Sequence, residues 1–103
     1  MSAGEIHEGD IGTVFEFTVK EGDAVRDLSI ATKLEVKFAK PSGATVTKTL
    51  ALKTDGKDGV AKWTTTQASD LDEHGGWQAQ VLCTWPTGFW HSDIVEFKVY
   101  RNL

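Results

Sequence analysis

Trp77-Gln78-Ala79-Gln80-Val81-Leu82-Cys83-Thr84-Trp85 is the stretch that decides the fold. Apolar residues stand at every odd position, with the amides Gln78 and Gln80 between them. Successive side chains of a β-strand point to opposite faces, so this period of two predicts a strand that lays Trp77, Ala79, Val81 and Cys83 on a core. The next residues, Trp85-Pro86-Thr87-Gly88, read as a tight turn, with proline at its second position and glycine at its fourth. A last strand then runs from about Phe89 to Tyr100, with Val95, Phe97 and Val99 as its inward set.

Upstream the same alternation recurs. From Ile11 to Val19 the odd positions are Ile, Thr, Phe, Phe and Val, while Glu16, Thr18 and Lys20 stand opposite. Val25 suits a short second strand, and Leu28 and Ile30 are expected to dip into the core from a loop. Between Thr32 and Lys40, Leu34, Val36 and Phe38 face one way and Lys33, Glu35 and Lys37 the other. The turn Pro41-Ser42-Gly43 leads to a return strand marked by Val46, Leu50 and Leu52. A second turn at Asp55–Gly59 precedes a strand over residues 60–65. Residues 66–74 lack alternation, and Gln67–Leu71 fits a single helical turn with Leu71 pointing inward. With about seven strands, turns every 8–12 residues or so and no stretch of helical period, the pattern is that of an all-β sandwich or barrel, and the expected class is an immunoglobulin-like antiparallel β-sandwich. In the chain order of such domains Trp77 stands where a corner tyrosine is carried, and it is read either as filling that role with its indole N–H or as simply a core residue.

The chain has 103 residues, enough for one domain whose core needs no covalent staples. Residues 1–8 are polar and precede the first clear strand, so they read as a flexible arm before a domain over 9–103. Eleven basic against fifteen acidic residues leave a net charge of −4, without the basic footprint of a nucleic-acid binder or of a protein drawn to an anionic membrane. The single cysteine, Cys83, excludes an intrachain disulfide. Met1–Glu5 has neither a basic nor an apolar run, so no secretory signal is expected, and no window approaches the roughly 20 apolar residues of a membrane-spanning helix.

Several motifs, in order, resemble those of small structural domains of tailed phages. Gly9-Asp10-Ile11-Gly12-Thr13, Asp27-Leu28-Ser29-Ile30-Ala31-Thr32, Phe38-Ala39-Lys40-Pro41-Ser42-Gly43, Asp58-Gly59-Val60-Ala61-Lys62-Trp63, and Asp70-Leu71 followed by Gly76-Trp77 are similar to the N-terminal domains of baseplate upper proteins and their stand-alone relatives. The resemblance covers roughly residues 9–100, with Trp63 and Trp77 standing where a tyrosine is more usual. It implies an immunoglobulin-like sandwich, made without a signal peptide and carried in a virion. Such a domain attaches to other phage structural proteins or to copies of itself, and carries no chemistry.

Residue spacing points the same way. His7, His74 and His91 are far apart in sequence, unlike zinc ligands, and the acidic residues of 55–59 and 70–73 lack the spacing of a calcium loop. Cys83 has inward parity, as buried unreactive cysteines do, and no nucleophile or phosphate-loop motif is present. Neither an enzyme nor a cofactor is therefore expected. The aromatic turn is the richest signal. With a hairpin closing around Thr87, Thr84 faces Trp90 and Leu82 faces Ser92 on the outer face, so Leu82, Trp90 and Ile94 form an exposed apolar strip, while Trp85 and Phe89 cap the core. A bulge near Ser92-Asp93 would shift this parity. Leu82, Trp85, Phe89, Trp90 and Ile94 are thus the candidate interface, toward a protein partner or, alternatively, a host surface polysaccharide whose sugar faces stack on aromatic rings.

Overall fold

The alternating stretch around Trp77 forms the longest strand, Gly75–Trp85, and every odd residue from Trp77 to Trp85 is buried. The computed structural model describes residues 5–92 and 94–102. In chain order the strands are β1 (Ile6–His7), β2 (Val14–Thr18), β3 (Lys20–Glu21), β4 (Ala24–Val25), β5 (Lys33–Ala39) and β6 (Thr45–Thr49). They continue as β7 (Ala51–Leu52), β8 (Val60–Thr64), β9 (Gly75–Trp85), β10 (Gly88–His91) and β11 (Val95–Tyr100). The one helical segment among the described residues is a 3-10 turn over Ala68–Leu71, placing Leu71 in the core as its spacing predicts.

The strands form an all-β sandwich. One sheet has the order β1-β11-β9-β5-β6, with β10 also paired to β9, and the facing sheet has the order β2-β8-β7. A small ribbon, β3-β4, continues from β2. There are more segments than expected because longer strands are interrupted. Val19 separates β2 from β3, and buried Leu50 separates β6 from β7 where the chain crosses between sheets. All pairs are antiparallel except β1 with β11, where Ile6 lies beside Val99 in parallel register.

Rings from both sheets fill the core. Phe15 and Trp63 come from the smaller sheet, and Phe38, Trp77 and Phe97 from the larger. Phe38 lies 5.6 Å from Phe15 and 5.3 Å from Trp63, centroid to centroid, while Phe15 lies 5.2 Å from Phe97. Such edge and tilted contacts suit the ring quadrupoles. The Trp77 indole is buried and donates its N–H to the Glu73 carbonyl, four residues upstream, at 2.9 Å.

Three expectations are corrected. Residues 5–8 are no arm: Ile6 is buried in β1, Glu8 N–H donates to the Tyr100 carbonyl, and Gly9 N–H donates to the Leu71 carbonyl. Two strand residues are too few for alternation to reveal, and residues 1–4 of that expected arm lie outside the described residues. Ile11 is 64% exposed, since the chain between Gly9 and Gly12, both at positive φ, is a turn and β2 starts only at Val14. Ile30 is 64% exposed too: the Asp27 carboxylate accepts from the Ser29 N–H and hydroxyl, and this local turn aims the next side chain outward, while Leu28 is buried as expected.

Asp70 anchors the 3-10 turn. Burial alone would raise its pKa, but N–H bonds from Thr66 and Gln67 and the Lys48 ammonium 3.2 Å away outweigh that and hold the carboxyl below its ordinary 3.8. A depressed folded-state pKa stabilises the fold above the unfolded value, and that contribution is lost as pH falls through the folded value. Asp70→Ala should therefore cost about 1 kcal/mol at pH 7, as lost caps do. In urea titrations repeated at decreasing pH, the gap from the parent protein should close on the acid side of 3.8.

Candidate interaction surface

The β9–β10 hairpin fixes which aromatics reach solvent. Trp85-Pro86-Thr87-Gly88 closes with Trp85 paired to Gly88, so Phe89 pairs with Thr84, Trp90 with Cys83 and His91 with Leu82. Cross-strand partners share a face. Trp90 therefore turns inward with Cys83 and packs on the core half-buried, whereas Phe89 turns outward and is 60% exposed. This reverses the parity expected for Trp90 and Phe89. The reason is the turn: residues one and four of a β-turn pair directly, leaving a two-residue loop rather than one centred on Thr87.

The register changes between β10 and β11, the circumstance that the expected parity left out. His91 pairs with Leu82 but Val95 with Ala79, a one-residue shift of register along β9 between β10 and β11. Ser92 stitches the gap: its N–H donates to the Val81 carbonyl at 2.9 Å and its hydroxyl accepts from the Val81 N–H at 2.9 Å. The extra residue restores the inward parity of Phe97 and Val99. Asp93, expected to point inward if no bulge formed, lies outside the described residues.

Three of the five candidate residues belong to the outer face of the large sheet. Leu82 is half-buried beside His91, Phe89 sits with its ring centroid 4.9 Å from that of His91, and Ile94 is 58% exposed. Ile94 borders a shallow depression of about 180 Å³ with Lys37, Thr45, Gln78 and Gln80. The two tryptophans do not join them. Trp85 is buried, donates its indole N–H to the Asp27 carbonyl at 3.2 Å, and lies under the Arg26 guanidinium, 4.3 Å from its centroid. It seals one end of the core. His91 was overlooked as a surface neighbour, and the turn rule that places Phe89 outside would also have placed His91 there.

These placements give opposite outcomes for two adjacent aromatics. Phe89→Ala should change stability by no more than about 0.5 kcal/mol, whereas Trp90→Ala should cost about 2–4 kcal/mol through lost core contacts. Thermal melts suffice, because each kcal/mol moves the midpoint of a domain this size by roughly 4–8 °C.

The polar groups singled out in the sequence have structural work. Asp55 caps the Lys57 N–H, and Asp58 accepts from the Val60 N–H and the Thr54 hydroxyl. His7 and His74 lie beside different glutamates, Glu5 and Glu8, each at 3.4 Å, and His91 lies beside Phe89. Among the described residues no group of three or more His, Cys, Asp or Glu is arranged to hold a metal ion. Burial pushes the Cys83 thiol up to about 11, against a smaller lowering by Arg26, so it stays a protonated core side chain at neutral pH. Comparison with protein-family models, with curated proteins and with solved structures finds no match.

Proposed function

We propose that the chain is a structural or assembly component of a tailed-phage particle, an adaptor or decoration subunit of immunoglobulin-like type that works through protein–protein contacts. The observation that carries this reading is the exposed Phe89 ring on the outer face, lying against His91 with half-buried Leu82 opposite His91. Leaving a phenylalanine ring in water instead of against a partner forgoes about 1.5–3 kcal/mol, and exposed aromatic surface of this kind marks contact surfaces. The Trp77 bond to Glu73 supports the immunoglobulin-like part, since it reproduces the corner hydrogen bond of such domains. The ordered motifs from Gly9 to Trp77 support the phage part.

The test is incorporation. Antibody-gold labelling of purified particles from cells expressing the chain alongside its phage should decorate tail or head, and Phe89→Asp should remove the label while leaving the melting curve unchanged. Unlabelled particles would rule the reading out. One observation favours a second reading, recognition of a host surface polysaccharide. The exposed Phe89 ring lies in a face that also presents Gln78, Gln80 and Thr84. Saturable binding on a glycan array, lost in Phe89→Ala, would favour the sugar over assembly.

A further inference from the structure

The bonds that dock β1 go to residues far along the chain. Ile6 and His7 pair with Val99 and Tyr100, the Glu8 N–H donates to the Tyr100 carbonyl at 2.9 Å, and the Asn102 amide donates to the Glu8 carbonyl at 2.8 Å. The Gly9 N–H donates to the Leu71 carbonyl at 2.8 Å, and the Glu8 carboxylate lies 3.4 Å from His74 Nδ1. Ile6 is the one side chain of the strand buried in the core. A two-residue strand held by so few bonds opens at far lower cost than the domain unfolds. Opening empties the Ile6 slot beside Val99 and bares the β11 edge at that point.

The connection to β2 suits such an opening. His7 and Asp10 close a local turn: the Asp10 N–H donates to the His7 carbonyl at 3.2 Å, and the Asp10 carboxylate accepts from the His7 N–H at 2.9 Å. Beyond it the chain is clamped to Thr65. The Gly12 N–H donates to the Thr65 carbonyl, the Thr13 N–H to the Thr65 hydroxyl, and the Thr65 N–H to the Thr13 carbonyl. The hinge is therefore residues 9–11. Straightening it gives up the two His7–Asp10 bonds and the bond from the Thr65 hydroxyl to the Asp10 carbonyl. Gly9, at φ +78°, passes to extended backbone without steric cost. Within the hinge Ile11 is 64% exposed, an apolar side chain that the closed molecule leaves largely in water.

We propose that β1 exchanges between two copies of this chain, so that Ile6 of each copy fills the slot beside Val99 of the other. The slot itself names its occupant, since the β1 of a second copy makes the same bonds to Val99, Tyr100, Leu71 and His74. Exchange of an identical element between protomers is a low-cost route to a two-fold dimer. Three extended residues reach about 10 Å, so the two domains lie close at the hinge and their Ile11 side chains meet across the two-fold axis. That apolar contact exists only in the exchanged pair and drives it. The exchange is independent of the outer-face reading, because Phe89 lies on β10 and takes no part in it.

Disulfide trapping with full-length chains tests the proposal. His7 and Tyr100 are Cα partners across β1 and β11, so cysteines at the two positions can bridge, while buried Cys83 does not compete. In an equimolar, millimolar mixture of His7→Cys and Tyr100→Cys chains under a glutathione buffer, the mixed disulfide should exceed either homodimer by about tenfold, because docking raises the effective concentration of that pair alone. Ile11→Asp should lower the yield of mixed disulfide by about tenfold without shifting the thermal melt of the monomer, whereas Ile30→Asp, at an equally exposed site outside the hinge, should leave it unchanged. Statistical amounts of the three dimers would overturn the proposal. So would an absence of mixed disulfide under conditions where the double variant His7→Cys/Tyr100→Cys closes within one chain, or an unchanged yield from Ile11→Asp.

Discussion

Phe38→Ala is expected to lower the unfolding free energy by about 4 kcal/mol, within the range for removing a buried phenylalanine ring. Phe38 is fully buried, and its ring lies within 5.3–6.2 Å of Trp63, Phe15, Phe97 and Trp77. Those neighbours come from both sheets, so the ring is a joint between the layers. None can close the hole alone, because Trp63 is stacked on Phe15 and Trp77 is tethered by its bond to Glu73. A cavity that cannot collapse puts the cost at the upper part of the range. Domains of this kind hold about 5–15 kcal/mol in total, so the variant keeps at most a fraction of its stability. Urea unfolding followed by tryptophan emission measures it directly. A loss below about 1 kcal/mol would mean that the two sheets do not meet through this ring.

Gly56→Ala should cost about 2–4 kcal/mol for a different reason. Gly56 adopts φ +89°, where a Cβ brings a strain of about 1–2 kcal/mol. The added atom would also lie 2.7 Å from the Ser29 backbone nitrogen and 3.1 Å from the Leu28 carbonyl carbon. That backbone cannot retreat cheaply, because the Leu28 N–H is bonded to the Gly56 carbonyl at 2.7 Å and Leu28 is buried in the core. Overpacking against it adds about 1–3 kcal/mol. Gly43 isolates the clash from the strain, since it has φ +93° with nothing within 4 Å of the added atom. Gly43→Ala should show the strain alone. Equal losses for the two variants would mean that the loop at Gly56 moves freely away from Leu28 and Ser29.

Much of this architecture was legible because burial writes itself into period two. Residues such as Val19, Val36, Ala79 and Val99 alternate with polar neighbours, and all are buried. Leu71 was readable from a short polar stretch with one apolar residue at its end. Legibility ended where one residue decides parity. At Trp85–Gly88 a loop counted one residue off exchanges Trp90 with Phe89, and a sheet face cannot be read without the count. The turn chemistry of Pro86 and Gly88 did contain the answer, as a four-residue turn pairs its ends. Ile11 and Ile30 failed for a related reason, since apolar identity was read as burial while local turns at Gly12 and Asp27 aim both side chains outward. Ile6 was hidden because its strand is two residues long and gains its stability from β11, which is distant in sequence.

The assembly reading comes down to whether the outer face at Phe89 touches another virion protein. Placing the photo-crosslinker p-benzoylphenylalanine at position 89, and separately at position 62 on the outer face of the smaller sheet, tests this within assembled particles. Irradiation is predicted to join position 89, and not position 62, to a structural protein of the particle or to a second copy of the chain. Crosslinks from position 62 alone, or from neither position in particles that contain the chain, would contradict it.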